Sequence, residues 1–279
     1  QRREEGLVPT QQSALPSARG ATHSPTTLKM LLRLWVLLLG CAATSQPAHQ
    51  LPLRTVGRGA RAGTASTPSG CLWALIANVD KWGPQAQQYL VNSAYQMASI
   101  GDHRLLKEPL LNSTVLGMKG QGWRMFASPA TLKFVEGSGG TAVLTRCTLQ
   151  VGRGALPEGY TGAATQHQSK FWTSQVLKLR SCDVLMITPY MVNGLGPTGA
   201  NLNGIQGLIA HAASFQIPFI ADGDWGMTPE QLATTGILQH LRANILVPSG
   251  VQWTCKGGSR RMLDYVLVSS RFAEAIQVL

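Results

Sequence analysis

Residues 217–229 read IPFIADGDWGMTP, a short apolar run that leads into two acids and a turn. Such a run predicts a short strand at Pro218, Phe219 and Ile220 that leads into the acids Asp222 and Asp224 and a turn. Thr228 is a good N-cap, a proline follows it, and Gln231 completes a capping box, so a helix is expected next. A carboxylate at the carboxyl end of a strand is a common position for an active-site acid in layered α/β proteins. The alternative is an ordinary acidic turn.

Composition bounds the class of protein. The chain has 279 residues, of which 44% are hydrophobic, enough for a full core. Its net charge of +11 favours polyanionic partners, such as nucleic acid or an anionic membrane surface. Residues 1–70 carry +6 of this charge and the remaining three quarters only +5. The charge is therefore weak evidence for nucleic-acid binding by the folded part.

The cysteines limit the kinds of site that can be expected. Five of them are scattered along the chain, and none forms a CxxC pair. This pattern argues against a zinc ribbon or a disulfide scaffold and fits a reducing compartment. Any metal site should therefore use oxygen ligands. The five are Cys41, Cys71, Cys147, Cys182 and Cys255.

The first 70 residues are predicted to precede the folded domain. Residues 1–29 are polar and expected to be disordered, and residues 45–70 have the composition of a linker. The apolar run within 30–44 is too short for a comfortable membrane span but would resemble a signal peptide if translation began at Met30. The alternatives are a spurious upstream reading or a buried apolar helix. An intracellular location is favoured, with secretion expected if that segment acts as a signal.

The second part, residues 71–279, mixes strands with helices. It predicts an α/β fold in which two packed, mainly antiparallel sheets are flanked by helices, a four-layer α/β sandwich. A polar loop is expected at 105–122, and Gly236 is expected to end the helix after Thr228. No Walker-type loop and no GxGxxG sequence occurs, which disfavours nucleotide-binding folds. Strands are predicted at 71–79, 95–100, 123–126, 139–146, 171–179, 183–188, 243–247 and 262–269, and further helices at 84–92 and 202–215.

Six short motifs occur in an order that resembles the endonuclease/exonuclease/phosphatase family, most closely the copies of this domain carried by mobile elements. They are ANV at 77–79, GDHRL at 101–105, GGTAVLTR at 139–146, TPY at 188–190, PFIADGDWGMTP at 218–229 and MLDYVLVS at 262–269. The resemblance covers roughly residues 71–270. It implies a monomeric hydrolase that acts on nucleic acid or another phosphodiester.

The resemblance also implies a metal site. A divalent cation, Mg²⁺ or Mn²⁺, is expected to be held by carboxylate and amide oxygens and to neutralise the phosphate. Carried over by position, Asn78 would contact the metal or the phosphate. Asp102 stands where the family has a metal-binding Glu.

The remaining expected site residues are catalytic. Tyr190 falls where the family has a His or Tyr that touches the phosphate, and Asn193 is expected to help in the same way. Asp224 would position the nucleophilic water or bind metal. Asp264 would orient a catalytic histidine, which takes a proton from the attacking water.

The sequence departs from the family at three functional positions. Asp102 is one methylene shorter than the expected Glu, and Gly226 replaces an Asn that contacts the phosphate. The C-terminal Ser-Asp-His is absent before the sequence ends at Leu279, so the fold is expected to be incomplete there. The histidines of residues 71–279 stand elsewhere and are interpreted as structural or surface residues, so hydrolysis is expected to be impaired. They are His103, His167, His211 and His240.

Two further hypotheses remain open. The chain could be a catalytically inactive module that binds nucleic acid or phosphate, with Trp123, Trp172 and Trp225 as stacking faces or, alternatively, as core residues. It could also be a product without a biochemical role. The substrate stays open among DNA, RNA, a lipid headgroup and a small phosphate ester, because fold does not fix function.

Overall fold

The computed structural model describes residues 31–37, 71–133, 136–152, 171–179, 182–255 and 260–278. The strands are β1 (Leu31–Leu37), β2 (Cys71–Asn78), β3 (Met97–Gly101), β4 (Trp123–Ser128), β5 (Thr131–Lys133), β6 (Glu136–Ser138), β7 (Thr141–Arg146), β8 (Gln150–Gly152), β9 (Trp172–Lys178), β10 (Asp183–Pro189), β11 (Phe219–Asp224), β12 (Ala243–Leu246), β13 (Asp264–Ser269) and β14 (Ile276–Val278). The helices are α1 (Pro84–Val91), α2 (Glu108–Gly120), α3 (Gly199–Phe215), α4 (Pro229–Ala233), α5 (Ile237–Leu241) and α6 (Ser270–Ala273).

Two six-stranded sheets form the centre of the fold. The first has the order β14-β1-β2-β3-β7-β4 and the second the order β12-β13-β11-β10-β9-β8. In the first sheet only β2 and β3 pair in parallel among the described strands, and in the second only β10 and β11 do. Strands β5 and β6 form a separate two-stranded ribbon. The predicted pair of mainly antiparallel sheets is confirmed.

The side-chain alternation of the strands separates three apolar layers. One layer lies between the sheets, where Ile76 and Met97 of the first sheet share a cluster with Ile220 and Val266 of the second. Because neighbouring residues of a strand point to opposite faces, the intervening positions face outward and need a helical cover.

Helices supply that cover on both outer faces. On the first sheet, Leu90 of α1 and Met118 of α2 pack in the same cluster as Ala98 of β3. On the second sheet, Ile205 and Leu208 of α3 pack in the same cluster as the outward-facing residues of β10 and β11. The order helix, sheet, sheet, helix confirms the predicted four-layer α/β sandwich.

The segment expected to be a polar loop at 105–122 is largely helical, so that prediction is wrong. Helix α2 begins at Glu108 with a proline in its first turn, and Leu111 and Met118 bury their side chains against the first sheet. Gly117 and Gly120 weaken the intrinsic helix propensity of this segment. The helix therefore depends on packing that the local sequence does not reveal.

The helix after Thr228 begins as predicted but ends earlier. Thr228 accepts a hydrogen bond from the Gln231 backbone N–H, and the Gln231 side chain completes the capping box. Helix α4 stops at Ala233, and Gly236 instead caps the start of α5 with a φ of 78°. A left-handed φ is readily accepted by glycine, so Gly236 separates two short helices rather than ending a long one.

Strand β1 lies in the first sheet between β2 and β14 and is antiparallel to both. It falls on the N-terminal side of the boundary at residue 71, which stays a prediction. The rest of the predicted basic N-terminal segment lies outside the described residues. In the described part of the chain, no helix has the length and apolar character that a membrane crossing needs.

The space between the sheets also contains an acid. Asp222 is fully buried, and its Oδ1 accepts a hydrogen bond from the Ser99 hydroxyl of the opposite sheet at 2.7 Å. Among the described residues, its Oδ2 has no hydrogen-bond partner. Burial raises the pKa of Asp222 to about 7, because a low-dielectric interior disfavours the charged form.

We predict that Asp222→Asn flattens the pH dependence of stability. Between about pH 4 and about pH 7 the folded Asp222 keeps its proton while the unfolded chain loses it, so the free energy of unfolding falls as pH rises. The asparagine does not titrate. The variant should therefore be more stable than the wild type at neutral pH by at least about 1 kcal/mol, and this advantage should shrink toward pH 4.

Urea denaturation at several pH values measures this difference. Asp183→Asn is the control, since Asp183 is a partly exposed acid that pairs with Lys178 at 2.9 Å. Equal pH slopes for the wild type and Asp222→Asn would contradict the prediction.

Candidate functional site

Polar side chains from both sheets meet at one edge of the sandwich. Along β11, Ile220 contributes to the apolar cluster between the sheets, and the alternation then points Asp222 and Asp224 into the same space. The interior therefore changes from apolar to acidic toward the carboxyl end of β11. On β2 the same alternation brings Asn78 to the corresponding end of the first sheet.

A hydrogen bond joins the two sheets at this edge. The Asn78 Nδ2 donates to Asp224 Oδ2 at 3.2 Å, and the Gly226 N–H donates to Asp224 Oδ1 at 2.8 Å. Both carboxylate oxygens of Asp224 thus have a donor, which fixes the orientation of this carboxylate. Asp264 of β13 lies directly opposite Asp224 in the antiparallel register, so two acids face each other across neighbouring strands.

Burial and mutual repulsion shift the titration of the two facing acids. Burial raises the pKa of Asp224 above its ordinary range, and the nearby charge of Asp264 raises it further. Burial also raises the pKa of Asp264, and a hydrogen bond from the Thr254 side chain opposes that shift. Both acids therefore hold a proton to a higher pH than an exposed aspartate would.

Tyr190 completes the edge on the side of β10. It forms an isolated parallel bridge with Asp224, and the Met191 N–H donates to the Asp224 carbonyl at 2.9 Å. Burial raises the pKa of the Tyr190 hydroxyl, and the charges of Asp102 and Asp224 raise it further. Tyr190 is therefore neutral throughout the physiological range, with a hydroxyl that can donate a hydrogen bond.

Asp102 lies at the end of β3 and is almost completely buried. Its Oδ1 accepts a hydrogen bond from the Gly139 N–H at 2.8 Å, and its Oδ2 accepts two from the Arg104 guanidinium at 3.1 and 3.2 Å. The same guanidinium forms an ion pair with Asp80, two residues beyond Asn78. Asp80, Asp102 and Arg104 are called the ion-pair cluster below.

The structure thus brings five of the six predicted site residues to one edge. Asn193 makes no hydrogen bond with these five among the described residues: it is exposed, and its Oδ1 accepts a hydrogen bond from Arg261 at 3.3 Å. The roles of all six residues stay predictions. The five that meet are Asn78, Asp102, Tyr190, Asp224 and Asp264.

The described histidines have structural surroundings. Buried His103 accepts a hydrogen bond from the Leu105 N–H at Nδ1, and its Nε2 lies 2.9 Å from the Ser128 carbonyl oxygen. Buried His211 lies 2.8 Å from the Ser174 hydroxyl. Burial lowers the pKa of each histidine to about 4, so both are neutral at physiological pH.

The other two histidines of residues 71–279 differ in position. His240 is exposed on α5, as expected for a surface residue, and His167 lies outside the described residues. The interpretation of the described histidines as structural or surface residues therefore agrees with their placement. Trp123, Trp172 and Trp225 are buried, so they are core residues rather than stacking faces.

The divalent cation implied by the resemblance does not fit these side chains as they stand. Both oxygens of Asp102 already accept hydrogen bonds, and those at Oδ2 come from a cation. Among the described residues, no group of three or more His, Cys, Asp or Glu side chains could hold a metal ion. Carboxylate oxygens are suitable ligands for Mg²⁺, but those of Asp102 bind the Arg104 guanidinium and the Gly139 N–H instead.

Sequence reasoning missed Arg104, Asp80 and Gly139. The available signal was spacing, since Asp80 and Arg104 each stand two residues after a predicted metal-binding residue. Gly226 also gains a structural reason. A side chain there would place its Cβ 2.9 Å from the Val192 carbonyl oxygen, and its φ of 62° already favours glycine.

Comparison with known proteins gives similarity at the level of the fold. No family model and no curated protein matches the chain. The structure is similar to a 3′-5′ exonuclease from Neisseria meningitidis, with 16% identity and a TM-score of 0.46, over 72% of this chain and 88% of that one.

Two other solved structures are similar. One is an endonuclease/exonuclease/phosphatase family protein from Leptotrichia buccalis, with 14% identity and a TM-score of 0.48 over 70% of this chain and 86% of that one. The other is the endonuclease domain of TRAS1, a telomere-specific non-LTR retrotransposon, with 13% identity and a TM-score of 0.49 over 72% and 86%. These values describe a similarity of fold between this chain and those proteins, and they assign no activity to this chain.

We predict that Gly140→Ala destabilises the fold more than Gly194→Ala does. The two glycines have φ angles of 81° and 85°, so alanine is strained at both. At Gly140 the new Cβ would also overlap the His103 ring, whereas at Gly194 it would meet no atom of the described residues within 4 Å. The clash should add at least about 1 kcal/mol to the loss of stability.

Urea denaturation of both variants measures the difference, with Gly194→Ala as the control for backbone strain alone. Equal losses of stability would mean that His103 does not fix the turn that carries the Gly139 N–H to Asp102.

Proposed function

We propose that this edge of the sandwich is a phosphodiester-hydrolysing site that works slowly. One observation carries the proposal: an amide, a tyrosine hydroxyl and three carboxylates from both sheets meet around the Asn78–Asp224 hydrogen bond. Such a meeting of acids and donors at strand ends is a common basis for acid–base chemistry.

Asp264 is the group best placed to act as general base. Both oxygens of Asp224 already accept hydrogen bonds, from Asn78 and Gly226, whereas Asp264, although largely buried, keeps part of its surface exposed. In the proposed step a water oxygen bonds to phosphorus as the ester P–O bond breaks. The water proton passes to Asp264, and the leaving oxygen takes a proton from solvent.

The expected partner of Asp264, a catalytic histidine, does not contact it in the described part of the chain. The described histidines are occupied elsewhere or exposed. A carboxylate that acts without an imidazole is a poorer base at neutral pH unless its pKa is raised, which burial does here. Slow turnover follows from this arrangement.

A binding module without turnover is the second candidate. The Arg260 guanidinium lies 5.4 Å from the centroid of the Trp253 ring, in the segment that leads to Asp264. An exposed arginine next to an aromatic ring is a common contact for a nucleic-acid strand. Arg260 and Trp253 would supply affinity for a nucleic-acid strand even if Asp264 did not activate water.

We predict that the full chain hydrolyses bis(p-nitrophenyl) phosphate and that Asp264→Asn lowers the rate by about 100-fold or more. Release of p-nitrophenol is followed with Mg²⁺, with Mn²⁺ and with EDTA, so that any metal requirement is measured directly. Asp183→Asn is the matched control, because it removes a partly exposed acid that pairs with Lys178.

Equal rates for the wild type and Asp264→Asn would refute the assigned base. If no variant hydrolyses the ester, salt-sensitive binding of a single-stranded oligonucleotide, weakened in Arg260→Ala, would favour the binding module instead.

We also predict that kcat/KM rises with pH and levels off once Asp264 loses its proton. Because burial raises the pKa of Asp264, the midpoint should lie above the value of about 4 that is ordinary for an aspartate. A pH–rate profile measures the midpoint. The rise of kcat/KM with pH should disappear in the residual activity of Asp264→Asn. A rise that persists in this variant would point to a different base.

A further inference from the structure

Arg104 stands where the resemblance leads one to expect a metal ion. Its Nε and Nη2 donate to Asp102 Oδ2, and its Nη2 also pairs with Asp80. A divalent cation bound through Asp102 would have to displace these charge-assisted hydrogen bonds, which are stronger than neutral ones.

The backbone of the ion-pair cluster is unusual. Asp80, Asp102 and Arg104 have φ angles of 57°, 52° and 56°, all in the left-handed region. Aspartate tolerates this region better than most residues, but arginine does not. Such strain persists only where the surrounding contacts determine the conformation. Here the contacts are those that hold the guanidinium against the two carboxylates.

The neighbouring interactions fix this arrangement further. The Gly139 N–H holds the other oxygen of Asp102, and the His103 and Arg104 N–H groups donate to the carbonyls of Gly140 and Gly139. The Arg104 side chain is about one third exposed, while that of Asp102 is only 7% exposed. The carboxylate is therefore buried and fixed, and the cation that pairs with it is partly exposed.

We propose that Arg104 is the resident cation of this site and excludes a divalent metal ion from Asp102. The inference deepens the proposed function, because it makes the hydrolytic site independent of Mg²⁺ and Mn²⁺. Removing the guanidinium should leave two acids, Asp80 and Asp102, with oxygen donors suited to a hard cation. The variant would then have a metal site that the wild type lacks.

Mn²⁺ binding to the full chain, followed by electron paramagnetic resonance, tests the proposal without requiring turnover. We expect Arg104→Met to bind Mn²⁺ at least about tenfold more tightly than the wild type, a difference of about 1.4 kcal/mol. Arg146→Met is the matched control, since Arg146 is a partly buried arginine that donates to the backbone carbonyls of Val91, Ser93 and Tyr95.

A second variant localises the effect. Asp102→Asn combined with Arg104→Met should lose the gained Mn²⁺ affinity. Tight Mn²⁺ binding by the wild type would overturn the proposal, as would a folded Arg104→Met variant without gained affinity. If Arg104→Met does not fold, the Mn²⁺ titration of the wild type decides. Tight binding then overturns the proposal, and weak binding supports it.

The outcomes separate this inference from the proposed function. Loss of hydrolysis in Asp264→Asn concerns the base, and Mn²⁺ affinity in Arg104→Met concerns the cation. A wild type that hydrolyses esters only with added Mn²⁺ would support the proposed hydrolytic function and refute the inference that Arg104 excludes the metal ion.

Discussion

The face-to-face packing of the two sheets determines the rest of the structure. Residues that alternate toward the interior are apolar along most of each strand, as Ile76 and Ile220 show, and become polar where the strands end. Asn78 and Asp224 stand at those ends and hydrogen-bond across the gap. A shift of one residue in either strand would turn these side chains outward, so the site exists only in this register.

Much of the fold could be predicted because strand periodicity is a local property. Strand β2 ends at Asn78, as its apolar run indicated, whereas β11 continues beyond its predicted residues 218–220 to Asp224. Helix α2 could not be predicted in the same way, since its glycines conceal a helix that tertiary packing stabilises. The capping box at Thr228 was visible, but the length of the helix that follows depended on Gly236.

The candidate site was predictable only in part. The resemblance located Asn78, Asp224 and Asp264, and the alternation of their strands explains why these side chains come to one edge. The ion-pair cluster could not be located, since the position of Arg104 depends on left-handed backbone angles that no short motif specifies. Asn193 was predicted from its spacing to Tyr190, but a loop residue obeys no such periodicity, and its side chain bonds to Arg261.

Two residues that are not acids complete the bonding of the acids at this edge. Asp102 and Asp224 have donors at both carboxylate oxygens, supplied in part by Arg104 and Gly226. Asp222, deeper between the sheets, differs, because its Oδ2 has no partner among the described residues. The fixed carboxylates therefore lie at the edge of the sandwich, where Arg104 and the Gly226 N–H reach them, and not in its interior.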